Sequence, residues 1–209
     1  MEGTLPSLVK QNYSCIYDDD GNENTQEVNT WANTSSDCKK IKEQLECAIM
    51  NELFDVKEKV IVVTGATGIL AGGAAQYLQK NGAKIVYLGR NQERVDNALT
   101  EAKSISDACM GLTSDVLDEE SLSKGYEEVI SKFGRIDALI NGAGGNMPGA
   151  TIGPDKEIFD LNLDDYSKVM DLNLKGTVLP TLVFGKAFKE QGHGSVINFS
   201  SMSSTQALT

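Results

Sequence analysis

The chain of 209 residues is poor in the groups that build metal centres, with four cysteines and a single histidine. Cys15, Cys38, Cys47 and Cys109 include no Cys-x-x-Cys pair, and His193 lies far from all of them in sequence, which argues against a zinc site. Cys109 sits in an apolar run with no nearby histidine to activate its thiol, so it reads as a small buried hydrophobe rather than a nucleophile. Long apolar runs are also missing. Nothing approaches the ~20 residues that span a bilayer, and no charged start leads into an apolar run of signal-peptide length. The expected setting is therefore a reducing cytoplasm, away from membranes. Positive charge is scarce too, with 19 Lys and Arg against 30 Asp and Glu and a formal net charge of −11. That balance argues against a phosphate-tracking nucleic-acid surface, while leaving room for a small anion held by local dipoles.

The acidity is uneven. Residues 1–52 carry ten acids and four bases, a net of −6, and residues 53–209 hold the remaining −5 from twenty acids and fifteen bases. Residues 1–38, rich in Asn, Asp, Ser and Thr, show little apolar periodicity and read as disordered. Residues 39–53 have a helical apolar stripe through Ile41, Leu45, Ala48 and Ile49, of the kind that serves as a docking face. The expected division is an acidic, mostly disordered extension over 1–52 and one globular domain over 53–209. In that domain, strand-like runs at 59–64, 84–88, 109–113, 136–141 and 195–199 alternate with helical patterns at 69–81, 91–104, 118–133 and 166–190. Repeated βαβ units of this kind imply an α/β fold, with a parallel sheet covered by helices on both faces.

The most telling run is Lys59-Val-Ile-Val-Val-Thr-Gly-Ala-Thr-Gly-Ile-Leu70, a β-branched strand that breaks into a glycine turn and then an alanine-rich helix. Glycine allows the tight turn and close backbone approach, and the free N–H groups and positive dipole end of the helix favour a pyrophosphate. Thr64, Gly65, Thr67, Gly68, Ile69 and Leu70 are thus candidate cofactor contacts. The second strand ends in Leu88-Gly89-Arg90, at the spacing where a dinucleotide fold places its ribose reader. Gly89 stands in place of an acid that would accept from the 2′-hydroxyl of NAD. Arg90 is either a partner for a 2′-phosphate, favouring NADP(H) over NAD(H), or a solvated arginine opening a helix. Asp115-Val116 closes the third strand; Asp115 either accepts from an adenine amino group or caps the helix that follows. Asn141-Gly142-Ala143-Gly144-Gly145 follows the fourth strand, where small residues let a cofactor lie flat against the backbone.

Taken in order and spacing, Thr64-Gly65 with Gly68, Asp115-Val116, Asn141-Gly142-Ala143-Gly144, Asn173 within Asp171-Leu-Asn-Leu-Lys-Gly176, and Ser200-Ser201 after Gly194-Ser-Val-Ile-Asn-Phe199 resemble the short-chain dehydrogenase/reductase family. The resemblance covers residues 53–209, roughly three quarters of the chain. Ile69 and Ala71 occupy positions that are glycine in the family's usual Thr-Gly-x-x-x-Gly-x-Gly. That departure, with Gly144-Gly145-Asn146 and Leu172-Asn-Leu-Lys-Gly-Thr-Val-Leu-Pro-Thr181, resembles the D-mannonate oxidoreductase (fructuronate reductase-like) branch. The resemblance implies a Rossmann-type doubly wound parallel sheet of about five strands in the order 3-2-1-4-5. It also implies hydride transfer between a nicotinamide cofactor and a small alcohol or ketone, of sugar-acid class, in a homo-oligomeric parent. Lys156 is a candidate partner for a substrate carboxylate, or a solvated lysine.

In that family a serine holds the substrate oxygen, a tyrosine transfers the proton, a lysine lowers the tyrosine's pKa, and an asparagine orients a water in the proton relay. By resemblance Ser201 takes the serine's part and Asn173 the asparagine's. The alternatives are that Ser200 and Ser201 cap a turn, and that Asn173 bridges backbone groups inside a helix. No tyrosine or lysine follows Ser201 in the eight residues that remain. The expectation is thus the cofactor half of an oxidoreductase, inactive as written and incomplete at its carboxyl end, with residues 1–49 either an extension of the reading frame or a regulatory tail. The competing expectation is a non-catalytic dinucleotide-binding or sensor protein.

Overall fold

The computed structural model describes residues 54–153 and 155–201. The chain divides into two units, Met1–Asp55 and Val56–Thr209, and nearly all described residues belong to the second. The disorder expected over 1–38 and the helix expected over 39–53 lie outside the described residues.

Five strands form one parallel sheet in the order β3-β2-β1-β4-β5, as the sequence predicts. They are β1 (Val60–Thr64), β2 (Lys84–Gly89), β3 (Cys109–Thr113), β4 (Ala138–Asn141) and β5 (Ser195–Asn198). Strand β1 is central, with Thr64 opposite Leu88 on one side and Asn141 on the other, so the ends of β2, β1 and β4 are level. Alternation along the strands sends side chains to opposite faces. Val60, Val62, Val86 and Leu88 pack with Leu122, Val129, Val183 and Phe184 on one face. Ile61, Val63, Ile85 and Tyr87 pack with Ala71, Ala75 and Ala102 on the other. The sheet is therefore doubly covered, by α3 (Glu119–Phe133) and α5 (Gly176–Gln191) on one side and by α1 (Ile69–Lys80) and α2 (Gln92–Lys103) on the other. Cys109 is buried in the second layer, where its thiol donates to the Ser106 carbonyl.

Helices α2 and α3 start at their caps. The Asn91 side chain accepts from Arg94 N at 2.9 Å and opens α2, while Asp118 Oδ1 accepts from Glu120 N and Ser121 N and opens α3. Asp115 does not cap α3; its Oδ1 takes Leu117 N at 2.9 Å in a turn before the helix. The cap falls to Asp118 because that residue stands one place before the first helical residue, with its carboxylate within reach of the free N–H groups.

One helix departs from the pattern. The single helix expected over 166–190 is instead α4 (Leu163–Met170), a π turn (Asp171–Lys175) and then α5. It starts earlier because Asn162 supplies a cap, accepting from Asp165 N at 3.0 Å. Its middle is widened because the side chain of Asn173 bonds outside the helix, as described below. The fourth strand also starts later than its apolar run, since Ile136 N and O are both taken by the side chain of Gln191. Among the described residues no helix is long and apolar enough to cross a membrane, and no group of His, Cys, Asp and Glu could hold a metal ion.

Candidate functional site

The candidates at the strand ends, Thr64, Arg90, Asp115, Asn141 and Ser201, lie on the carboxyl side of the sheet. In a parallel α/β sheet this edge is where successive helices diverge, here between β1 and β4, and a crevice opens for a ligand.

The turn after β1 is built around Gly65, whose φ of +67° lies in the left-handed region that glycine tolerates. A β-carbon there would sit 2.7 Å from Gly142 O and 2.8 Å from Ala143 N, so the two strand-end loops touch through bare backbone. Thr64, fully buried, ties them together: its hydroxyl oxygen accepts from Gly142 N and Ala143 N, each at 3.2 Å. Ala66 N donates to Leu88 O, which fastens the turn to β2 as well. Helix α1 then begins after Gly68 with no side-chain cap and no acid in its first turn. By contrast α2, α3 and α4 each have a side-chain cap and an acid there. The start of α1 is thus left with N–H groups and dipole charge uncompensated by protein, which suits an anionic ligand. Ile69 and Leu70 open this helix with exposed side chains, Ile69 at 94%.

On the β2 side, Thr67 lies over the strand end. A β-carbon on Gly89 would be 2.8 Å from Thr67 Cγ2, so residue 89 has no room for an acid while Thr67 stands there. Arg90 follows, exposed at the strand end. Beyond β3, Asp115 is exposed and Val116 is buried against Gly176 at the start of α5.

The β4 side holds the densest polar network. Asn141, 2% exposed, donates from Nδ2 to Thr181 Oγ1 at 3.0 Å and to Asn198 Oδ1 at 2.9 Å. Its Oδ1 has no hydrogen-bond partner. Gly144 and Gly145 come next, and Asn173 clasps the second: Oδ1 accepts from Gly145 N at 3.1 Å and Nδ2 donates to Gly145 O at 2.7 Å. The same Nδ2 donates to Val169 O at 2.8 Å, a carbonyl four residues back that the widened π turn leaves available. Asn173 thus bridges the backbone of the loop after β4 and that of its own helix. Ser201, exposed, follows β5 on the far side of β4.

The structure therefore joins Thr64, Gly65, Gly142 and Ala143 directly, brings Thr67 against Gly89, and links Gly144–Gly145 to Asn173. It sets Arg90 and Asp115 on one flank and Ser201 on the other. Sequence reasoning missed Thr177, Thr181 and Asn198. The available signal was a pair of threonines four residues apart beginning four residues after Asn173, and an asparagine at the end of an apolar strand.

A glycine-lined turn at the switch point of a 3-2-1-4-5 sheet defines the class of dinucleotide-binding α/β domains. The short chain dehydrogenase family model matches residues 59–209, and the chain belongs to that family. It is 33% identical over 159 residues to an uncharacterized oxidoreductase, UxuB, of Bacillus subtilis strain 168, a match that covers 72% of this chain and 57% of that protein. It is 35% identical over 156 residues to D-threitol dehydrogenase of Mycolicibacterium smegmatis, covering 74% and 57%. Among solved structures it is similar to a putative D-mannonate oxidoreductase of Haemophilus influenza with bound NAD, at 32% identity and a TM-score of 0.68, covering 77% of this chain and 61% of that one. The chain therefore spans somewhat over half the length of these relatives.

Proposed function

We propose that this chain carries the cofactor-binding part of an oxidoreductase that moves a hydride between a nicotinamide dinucleotide, NADP(H) in preference to NAD(H), and a small alcohol or ketone of sugar-acid class. The observation that carries the reading is the backbone cradle between β1 and β4, where Gly65 and Gly142 meet without side chains beside the uncapped start of α1. Such a cradle fits a pyrophosphate, and the level strand ends give a dinucleotide room to lie across it. When bound, the nicotinamide supplies a hydride donor or acceptor at carbon. The first turn of α1 binds phosphate, and Arg90 meets a 2′-phosphate as a forked cation. Asn141 to Gly144 present a flat backbone edge, Ser201 Oγ holds the substrate oxygen, and Asn173, its amide engaged by Gly145 and Val169, serves the proton path by holding the loop beside it.

Support for the substrate class comes from relatives whose names concern polyols and sugar acids, D-threitol and D-mannonate. The Haemophilus structure holds NAD, which supports a nicotinamide dinucleotide without deciding the 2′-phosphate preference. That preference rests on Arg90 and on Thr67 filling the place an acid would need. A cytoplasmic setting is part of the same proposal.

Fluorescence titration at fixed salt is the test. NADPH should bind more tightly than NADH, and Arg90→Ala should remove about 1 to 3 kcal/mol of that difference. If neither dinucleotide binds, the reading falls; equal affinities overturn only the NADP(H) preference. Residues 202–209 contain neither tyrosine nor lysine, so the 209-residue polypeptide alone should show no turnover. Joining it to the carboxyl-terminal part of a relative should give turnover, and Ser201→Ala in that chimera should lower it by about 10²-fold or more at nearly unchanged cofactor affinity.

A further inference from the structure

We infer that Thr177 and Thr181 are positioning residues, holding the loop after β4 in the shape needed by the nicotinamide half of the cofactor through Asn173. The inference rests on the oxidoreductase reading above.

A threonine hydroxyl has one proton to give. Thr181 Oγ1 gives its proton to Thr177 O at 2.8 Å, so toward Asn141 it can only accept. That fixes which end of the Asn141 amide faces it: Nδ2 toward Thr181 and Asn198, Oδ1 into a buried place with no donor. Buried polar atoms are rarely left alone, so the amide is being held by the demands of its other end. Thr177 Oγ1 in turn gives its proton to Asn173 O at 2.9 Å. Asn173 is the residue whose side chain clasps both backbone groups of Gly145.

A hydroxyl bonded to the carbonyl four residues back is ordinary in a helix when taken singly. Here two occur in succession, pointing the same way, and the first carbonyl belongs to the residue at the centre of the π turn. The contacts step from residue to residue, joined through the backbone of α5, from Asn198 on β5 and Asn141 on β4 to the loop beyond β4. It meets that loop three residues after Thr64 fixes Gly142 from below. The loop is thus pinned at two points by side chains from different elements. Arg90 lies past β2 and the open helix start past β1, so a dinucleotide laid across the edge places its other half over β4 and this loop. A loosened loop should be felt by that half alone.

The experiment uses the 209-residue chain and two probes: NADPH, and 2′,5′-ADP, which carries the adenosine side without nicotinamide. Thr177→Val keeps the branched shape and removes the hydroxyl. It should weaken NADPH about tenfold and leave 2′,5′-ADP within about twofold, and Thr177→Ser should restore NADPH. Thr181→Val should act in the same direction. Equal weakening of both probes, or no weakening of NADPH, would overturn the inference, because a merely structural loss moves both alike. If the valine variant does not fold, Thr177→Ala carries the same expectation. If the unmutated chain binds neither probe, the oxidoreductase reading has failed and the hold on the loop is read from amide hydrogen exchange at Gly145. Faster exchange in Thr177→Val, reversed in Thr177→Ser, supports the hydrogen-bonded chain, and unchanged exchange refutes it.

Discussion

Thr64→Val is the sharpest probe of the cradle, because valine copies the shape of threonine and deletes one oxygen. That oxygen accepts from two backbone groups, Gly142 N and Ala143 N at 3.2 Å, at a residue with no solvent exposure. Packing is preserved, so the cost comes from stranding two donors. Each unsatisfied buried donor costs about 1 to 3 kcal/mol. The bonds are long and the loop is half-buried, so about 1 to 1.5 kcal/mol per donor applies, giving about 2 to 3 kcal/mol in all. In a domain of this size such a loss lowers the melting temperature by roughly 4 to 12 °C. Urea unfolding followed by circular dichroism measures it, with Thr64→Ser as a control that keeps the acceptor and should lose far less. A Thr64→Val chain within about 0.5 kcal/mol of the unmutated one would show that the two loops are held by something else, and that the threonine is only a strand residue.

Two further expectations concern buried polar groups. Burial pushes the Tyr87 hydroxyl up to about 12 and raises the Cys109 thiol above its usual range. A raised folded-state pKa gives stability that is complete below the unfolded value and is lost as pH climbs through the folded one. The Tyr87 contribution should therefore be lost between about pH 10 and 12, and Tyr87→Phe should remove that loss while leaving Gln79 Oε1, its partner at 2.8 Å, without a donor. Stability measured at stepped alkaline pH reads both effects. Asp137 accepts from Val60 N at 2.9 Å and pairs with Arg135 at the opposite edge of the sheet from the site. Asp137→Ala should cost about 1 to 3 kcal/mol by urea unfolding and leave dinucleotide affinity unchanged.

The centre of the sheet was legible because β1 and β2 are short, β-branched-rich runs buried on both faces, so apolar continuity and turn glycines mark them without help from distant residues. Val60 to Thr64 and Lys84 to Gly89 fall where the runs fall. The cradle was legible for a related reason: a glycine turn between a buried strand and a helix has few purely structural uses. The π turn was hidden. Asp171 to Lys175 consists of ordinary helix-compatible residues, and its widening follows from Asn173 reaching Gly145, 28 positions earlier in the chain. Tertiary hydrogen bonds overrode a local preference that was itself correct. Asp115 shows the same limit at short range: two aspartates three residues apart both suit a cap, and only geometry assigns the task to Asp118.

The departure at Ala71 from the family's usual glycine also becomes intelligible in space, and it yields a prediction. A glycine at that point lets a helix lie close to the sheet. Ala71 is buried at 3% exposure, and a β-carbon placed on Gly142 would lie 2.6 Å from its own. The space needed for close approach is therefore left by Gly142 on the β4 side rather than by the helix. The two positions are therefore coupled. Gly142→Ala should cost about 1 to 3 kcal/mol through overpacking. Ala71→Gly alone should cost about 1 kcal/mol, from helix propensity and a lost buried methyl. The double variant should be less destabilised than the sum of the two, because the methyl added to one wall replaces the methyl removed from the other. Recovery should be incomplete, since the new β-carbon still stands 3.0 Å from Thr64 O. A double-mutant cycle by urea unfolding gives the coupling directly. Strict additivity would mean that the α1–β4 approach is set by the backbone alone, and that the alanine is tolerated for a reason unrelated to Gly142.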